Sequence, residues 1–384
     1  MYKGQANYMS KQTIKVLHML GKRPVGGVGT FLKNVHSHLN TEKIQFDYII
    51  GATEPDGEFD QYVKKLGGSI YVLPELGIGN AISYIKELKM FFEKYGSTYD
   101  IIHIHTPNIA TFGLFFAKRN GINIRIIHSH SARYSDTRLK SFRNFILALP
   151  IKKLANKYIA CSEDSAEFLF KKQNCIGNVS IIRNAVRLED YKFSNDSRIQ
   201  IRERLKIDDY FVIGHVGSFL PVKNHDFIID IFYEAYKLDN RLLLLLVGTG
   251  ELESKIRDKV NNLDLEKNVL FLGRRQDVNR LMHAIDLFIL PSVFEGLPLV
   301  GIEAQVSGLP CIFADTITRE LQILKQVSFL SVRSRQDWVK AILEHKSNRV
   351  SASEREEGYY NMNFSEFDIK SQTLKLEKLY KNPN

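Results

Sequence analysis

The sequence predicts an α/β protein of two doubly wound units, each a parallel sheet with helices on its faces. Three observations carry that prediction. Short apolar runs alternate with longer helical patterns from one end of the chain to the other. Many of those runs are continuously apolar, as in the LLLLLV of residues 242–247, which is how strands buried on both faces read. The 384 residues are enough for about two domains of ordinary size.

In chain order, strands are expected at residues 13–20, 46–51, 69–72, 101–105, 124–128, 157–160 and 179–182, then at 211–216, 241–247, 269–272, 287–290 and 310–313. Helices are expected between them over 29–39, 60–65, 81–95, 108–119 and 162–171, then over 226–238, 251–262, 278–284 and 298–307. A polar, charged stretch at 190–197, ahead of a short helix at 201–205, marks the seam. It divides the chain into an N-terminal unit over 1–195 and a second unit over 196–350. Residues 351–384 are expected to form a polar surface connection at 351–358 and a terminal helix at 365–380. That helix docks through Phe367, Ile369, Leu374, Leu376 and Leu379.

Composition excludes several classes. With 44% hydrophobic residues, 24 Gly and 10 Pro, the chain is neither collagen-like nor disordered. Three cysteines (Cys161, Cys175, Cys311), none in a C-x-x-C pair, cannot make a disulfide framework or a cysteine zinc site and fit a reducing compartment. No apolar run is long enough to span a membrane, and residues 14–20 are interrupted by Lys15 and His18, so a cytoplasmic location is expected. Residues 1–195 carry 27 Lys+Arg against 16 Asp+Glu, while 196–384 carry 26 against 27. The net charge of +10 therefore lies wholly in the first half, which points to an anionic partner there.

Three segments carry chemistry. The first, Pro24-Val-Gly26-Gly27-Val28-Gly29-Thr30, joins the first strand to the first helix. Its glycines let the backbone turn tightly and approach a ligand, and the helix that follows aims free N–H groups at the turn. It matches neither the P-loop nor the dinucleotide fingerprint. The second, Pro291-Ser-Val-Phe-Glu295-Gly-Leu297-Pro298-Leu299-Val300-Gly-Ile-Glu303, follows a strand. Pro298 suits a first helical turn, Leu299 and Val300 offer amides at that helix mouth, and Glu303 lies about 8 Å further along the axis. Two carboxylates flanking a phosphate-friendly helix end can hold hydroxyls on either side of a diphosphate, the layout of a nucleotide sugar. Glu303 also stands in an otherwise apolar helix, where a carboxylate needs a partner. The third, Gly214-His-Val-Gly217-Ser218-Phe-Leu-Pro-Val-Lys223-Asn224, places a lysine after a strand and a glycine turn, where it can neutralise a leaving diphosphate.

Together these segments resemble the retaining GT-B glycosyltransferases of family 4, a group that includes many bacterial capsule and exopolysaccharide sugar transferases. The most specific element is Glu295 to Glu303, similar to the E-x7-E motif of that family. Supporting matches are Gly26-Gly27, His103-Ile-His105, His128-Ser-His130, Gly248-Thr-Gly250-Glu251 and Phe271-Leu-Gly273. The resemblance implies the GT-B fold, two Rossmann-like domains facing across a cleft, with the C-terminal helix crossing back to the first. It implies an acceptor-binding first half and a nucleotide-sugar-binding second half. Gly26, Gly27 and Val28 would close over the diphosphate, and Lys223 with the amides of Leu299 and Val300 would hold it. Glu303 would bind the ribose, and Glu295 the donor sugar next to Leu297. His128 or His130, on one face of one strand, would lie beside the donor sugar, with His105 a weaker candidate. No cofactor and no metal are expected, since dipoles and cationic side chains can stabilise the departing charge.

The chain departs from the family where an arginine is usual five residues before Lys223; Ser218 stands there, and Arg274 or Arg275 is a candidate substitute. On the acceptor side, Arg138-Leu-Lys140-Ser-Phe-Arg143-Asn-Phe-Ile-Leu mixes cations with apolar residues at helical spacing. Lys152, Lys153 and Lys157 follow it, a pattern suited to an anionic membrane surface and a polyprenyl-diphosphate-linked or saccharide acceptor. The rival readings are a nucleotide-sugar epimerase of the same fold and a non-catalytic module on an anionic surface. Nucleic acid is disfavoured, because no reading motif interleaves the basic residues.

Overall fold

The structure is a computed structural model that describes residues 13–24, 26–52, 57–77, 79–131, 134, 138–170, 179–361 and 364–382. Cys175 and the polar start at 1–12 lie outside the described residues. The first half builds a seven-stranded parallel sheet from β1 (Ile14–Leu20), β2 (Ile44–Gly51), β3 (Ile70–Leu73), β4 (Ile101–Ile104), β5 (Ile124–Ser129), β6 (Lys157–Ala160) and β7 (Val179–Ile181). Its strand order is β3-β2-β1-β4-β5-β6-β7. The helices are α1 (Gly26–His38), α2 (Glu58–Lys65), α3 (Ala81–Tyr95), α4 (Pro107–Arg119), α5 (Arg138–Ala148), α6 (Ile151–Leu154) and α7 (Glu163–Phe170).

Two short helices, α8 (Leu188–Tyr191) and α9 (Asn195–Leu205), lead into the second half. There β8 (Phe211–Val216), β9 (Leu242–Val247), β10 (Val269–Phe271), β11 (Leu287–Leu290), β12 (Cys311–Ala314) and β13 (Val327–Leu330) form a six-stranded parallel sheet in the order β10-β9-β8-β11-β12-β13. Its helices are α10 (His225–Leu238), α11 (Glu253–Asn262), α12 (Val278–Ala284), α13 (Leu299–Val306) and α14 (Arg335–Ser347), and α15 (Ala352–Asn361) and α16 (Ile369–Lys381) close the chain. Every residue of β9, β11 and β12 is buried, as continuous apolar runs covered on both faces require.

The first sheet has a separate core on each face. Leu17, Met19, Ile102, Ile104 and Ile127 belong to one cluster, and Val16, Leu20, Ile101 and Ile126 to the other. The second cluster is covered by α1, through Phe31, Leu32 and Val35, and by α16, through Ile369, Leu376 and Tyr380. Helix α16 thus crosses back to the first sheet. The Tyr380 hydroxyl lies 2.6 Å from His103 Nδ1, and Glu377 accepts from the Asn40 amide at 2.9 Å.

Leu374, expected to dock the terminal helix, is instead 59% exposed, and three larger expectations need correction. Residues 352–358 are not an irregular connection but part of α15, although most of them lie at the surface as expected. Arg355 anchors that helix from inside: its buried guanidinium donates to the carbonyls of Ser307, Met282, His283 and Ile285 and lies 4.1 Å from the Phe193 ring centroid. A helix held by a buried cation lacks the apolar stripe that announces a packed helix. Second, α1 begins at Gly26 rather than Gly29, so the glycine segment is itself the first turn of the helix. Third, β13 and α14 were not expected. Three of the four β13 residues are only half-buried, which breaks the apolar run.

Candidate active site

In a doubly wound sheet, a crevice opens outside the carboxyl ends of the two strands between which the order reverses. For the second sheet these are β8 and β11. The third motif follows β8 and the second follows β11, so the topology brings them together. After β8 the chain makes a single 3-10 turn, Pro221–Lys223, closed by Asn224 with φ 59°, a left-handed conformation that asparagine tolerates. The Asn224 side chain donates to the Pro291 carbonyl at 3.2 Å, and the Val293 amide donates to the Val222 carbonyl at 2.8 Å. These bonds lock the two loops edge to edge.

That lock sets the chemistry. Lys223 Nζ donates to Glu295 Oε1 at 2.5 Å, and both side chains are only 17% exposed. A Cβ on Gly217 would stand 2.9 Å from His215 Nε2 and 3.3 Å from the Lys223 chain, so glycine leaves Lys223 its path. Pro298 precedes α13 and Leu299 and Val300 form its first turn, whose amides have no intrahelical acceptor. Glu303 is buried within α13. Burial raises its carboxyl to about 7, and a hydrogen bond from Tyr191 pulls partly the other way. Tyr191 comes from α8, and neither its identity nor its sequence distance from Glu303 signals the pairing.

In the first sheet the order reverses between β1 and β4. A cleft of about 540 Å³ opens there, lined among others by Arg23, Val28, His105, Thr106, His130 and, from the second half, Phe294. The two halves touch at this point. A Cβ on Gly296 would lie 2.4 Å from the His130 carbonyl oxygen and 3.2 Å from the Cys161 sulfur, so only glycine lets the Glu295 loop approach so closely. Asn184 donates to the Leu297 carbonyl at 2.7 Å, and the Leu297 amide donates to the Cys161 sulfur. Asn184 and Cys161 are therefore interface residues.

The structure accordingly brings Val28, His130, Phe294, Glu295 and Lys223 into one neighbourhood, with α13 opening beside it. Gly26 and Gly27 are exposed in the first turn of α1, just before Val28. Ser218 is exposed in the turn after β8. Arg274 donates to Glu58 of α2 at 2.6 Å, an exposed pair that joins the two halves, and Arg275 is engaged by Asp277. The two candidate histidines separate by depth. They share one face of the strand, with ring centroids 3.9 Å apart, yet His130 lines the cleft while His128 is fully buried behind it. Burial holds His130 down to about 3, and burial with neighbouring imidazoles holds His128 well below the ordinary histidine range, so both rings are neutral at pH 7.

The model of the Glycosyl transferases group 1 family matches residues 196–361, and that of Glycosyltransferase Family 4 matches residues 25–190. The putative glycosyltransferase EpsF of Bacillus subtilis is 31% identical over 82% of this chain and 82% of its own length. The chain belongs to the GT-B glycosyltransferases. CapH of Staphylococcus aureus, a capsular polysaccharide biosynthesis glycosyltransferase, is 23% identical over 96% of this chain and 98% of its own. An Escherichia coli galactosyltransferase that uses UDP-Gal and α-D-GlcNAc-diphosphoundecaprenol is 30% identical over 61% of this chain and 63% of its own. Among solved structures, Anabaena HepE in complex with UDP-glucose superposes with a TM-score of 0.79 at 19% identity, covering 96% of this chain and 99% of that one. Staphylococcus aureus TarM does so with 0.72 at 13% identity, covering 97% and 99%. The latter two likenesses concern the fold.

Proposed function

We propose that this glycosyltransferase moves a hexose from a uridine diphosphate sugar to a saccharide or polyprenyl-diphosphate-linked acceptor, with retention at the anomeric carbon. The product is a building block of bacterial surface polysaccharide. The observation that carries the reading is the meeting of Lys223, Glu295 and the mouth of α13 at the reversal point of the second sheet, opposite His130. The relatives named for polysaccharide synthesis and for a UDP-sugar donor support the same direction.

In this scheme residues up to 195 bind the acceptor and 196–350 the donor. Glu303 accepts from the ribose hydroxyls. The diphosphate lies against the α13 amides of Leu299 and Val300 and takes Lys223 from Glu295. Glu295, released, accepts from hydroxyls of the hexose beside Leu297, and neutral His130 bonds the sugar from the acceptor side. The bond from the anomeric carbon to the phosphate oxygen breaks. Lys223 and the helix mouth stabilise the negative charge that develops on the diphosphate. The acceptor hydroxyl bonds the anomeric carbon from the same face, and its proton passes to the departing phosphate. No step of this scheme requires a metal ion.

The acceptor half also has a surface suited to lipid. On α5, Leu139 is 82% and Phe142 64% exposed, with Ile146 and, just past the helix, Leu149 also exposed, among Arg138 and Lys140 of α5 and Lys152 and Lys153 of α6. Apolar side chains rimmed by lysine and arginine match an anionic membrane surface, which would put the enzyme at the inner face of the cell membrane beside a lipid-linked acceptor.

The test is a thermal-shift screen of nucleoside diphosphates followed by transfer assays with the corresponding donors. The reading expects uridine diphosphate to raise the melting temperature by mass action, and Glu303→Ala to abolish the shift. Equal shifts with every nucleotide, or an unchanged shift in the variant, would remove the assignment.

A further inference from the structure

The covered face of the first sheet holds a row of histidines. His18, His103, His105, His128 and His130 follow the parity of Val16, Ile101 and Ile126, so all five point toward α1 and α16. They are linked in pairs: His18 Nδ1 to His105 Nε2 at 2.9 Å, His105 Nδ1 to His130 Nε2 at 2.9 Å, and His103 Nε2 to His128 Nδ1 at 3.2 Å. One end meets the Tyr380 hydroxyl, and the other three have no partner, leaving His18 Nε2, His128 Nε2 and His130 Nδ1 buried and unbonded. A buried polar atom with no partner is costly, and a leucine or phenylalanine would fill such space without that penalty. The transfer chemistry uses only the residue at the mouth.

We infer that His105, His128 and His130 form a binding site for a borderline transition-metal ion, with Zn(II) the natural fit, and that occupancy withdraws His130 from the donor sugar and switches transfer off. Among the described residues, two overlapping sets offer one ring nitrogen apiece within 4.8 Å of each other: His105 with His128 and His130, and His105 with His18 and His103. The first is favoured on two grounds. Two of its members carry an unbonded nitrogen. It also reaches the cleft through two members, His105 and His130, which gives an ion a path in, whereas the other set reaches it through His105 alone. His128 on β5, His130 just past its end and His105 just past the end of the neighbouring β4 bring three imidazoles together. Zinc binding requires ring rotations that bring the ligating nitrogens to roughly 2.0–2.1 Å from the ion. Imidazole suits zinc, cobalt and nickel, and with no carboxylate in the set a hard ion such as Mg(II) is excluded. His105 and His130 line the cleft, from which water can supply a fourth ligand. Each neutral ring ligates through its unprotonated nitrogen, a proton found there shifting to the other ring nitrogen, and no redox change occurs.

The binding claim stands apart from the transferase reading; only the inhibitory effect rests on it. The test uses tag-free full-length protein stripped with a chelator. Co(II) titration is expected to give the visible bands of a four-coordinate ion, and equilibrium dialysis with micromolar Zn(II) is expected to retain one ion per chain. His105→Gln and His128→Gln should each weaken retention at least tenfold, with His345→Gln of α14 unchanged. Because the wild-type cobalt spectrum needs no variant, a misfolded substitution does not decide the matter. Retention of no ion, or a spectrum of a six-coordinate ion only, overturns the site. Bound zinc that leaves transfer unaffected overturns the inhibitory role. Inhibition reversed by chelator, in step with occupancy, supports both.

Discussion

Replacing Glu303 with glutamine should move stability and donor binding in opposite directions. Burial raises this carboxyl from 4.5 to about 7. The native state therefore holds the proton more tightly than the unfolded chain, so stability falls as pH rises from about 4.5 to 7 and is level above that. A difference of 2.5 pKa units corresponds to about 3 kcal/mol of cost for the ionised carboxylate at pH 8. Glutamine removes that charge and can still accept from Tyr191. Glu303→Gln should therefore melt several degrees above the wild type at pH 8, with the gap shrinking to about 1 kcal/mol at pH 5.

Donor binding should respond the other way. A carboxylate that accepts from two ribose hydroxyls is needed in its ionised form. Wild-type affinity for an intact nucleotide sugar, whose diphosphate does not titrate near neutrality, should then fall about tenfold between pH 8 and pH 6. The glutamine variant should bind some 10- to 100-fold more weakly at pH 8 and show no such dependence, because hydrogen bonds to a charged group are worth about 1.5–3 kcal/mol. Differential scanning fluorimetry and isothermal titration calorimetry across that range give both readouts. A variant that gains stability and binds donor as tightly as the wild type would refute the reasoning, since Glu303 would then be only a buried acid.

Further outcomes follow from the same geometry. Lys223→Met should lower kcat by about 100- to 1,000-fold in a transfer assay, the cost of removing a donor aimed at developing charge. Ser218→Arg should tighten uridine diphosphate binding by calorimetry, because the resemblance places a second cation there; unchanged affinity would exclude that position from the phosphate site. Gly296→Ala should lower the melting temperature and kcat/KM together, since its methyl meets the His130 carbonyl at 2.4 Å. Leu139→Glu with Phe142→Glu should abolish salt-sensitive sedimentation with anionic liposomes while transfer to a water-soluble acceptor stays intact.

Much of the fold was legible because parallel strands covered on both faces announce themselves as apolar runs. Strands β1, β6, β8 and β11 lie within a residue of expectation. Two of the elements that escaped are stabilised by something other than an apolar stripe: β13 at the sheet edge, half-buried, and α15, fixed by Arg355, whereas α14 packs through Trp338, Val339 and Ile342. At the site, the glycine, lysine and glutamate motifs were readable because each stands at a fixed offset from a strand end. Their pairing was not. Neither the Lys223–Glu295 bond nor the Tyr191–Glu303 contact has a local signature, because each joins loops that only the sheet order brings together. The histidine row was half visible: the alternation at 103/105 and 128/130 is plain, but the depth that separates His130 from His128 depends on where α1 lies.

The most direct measurement is a crystal structure with uridine diphosphate bound. The account predicts the ribose on Glu303, the phosphates between Lys223 and the amides of Leu299 and Val300, and the Lys223–Glu295 bond opened. Nucleotide seated away from the β8 and β11 loops, with that bond intact, would contradict it.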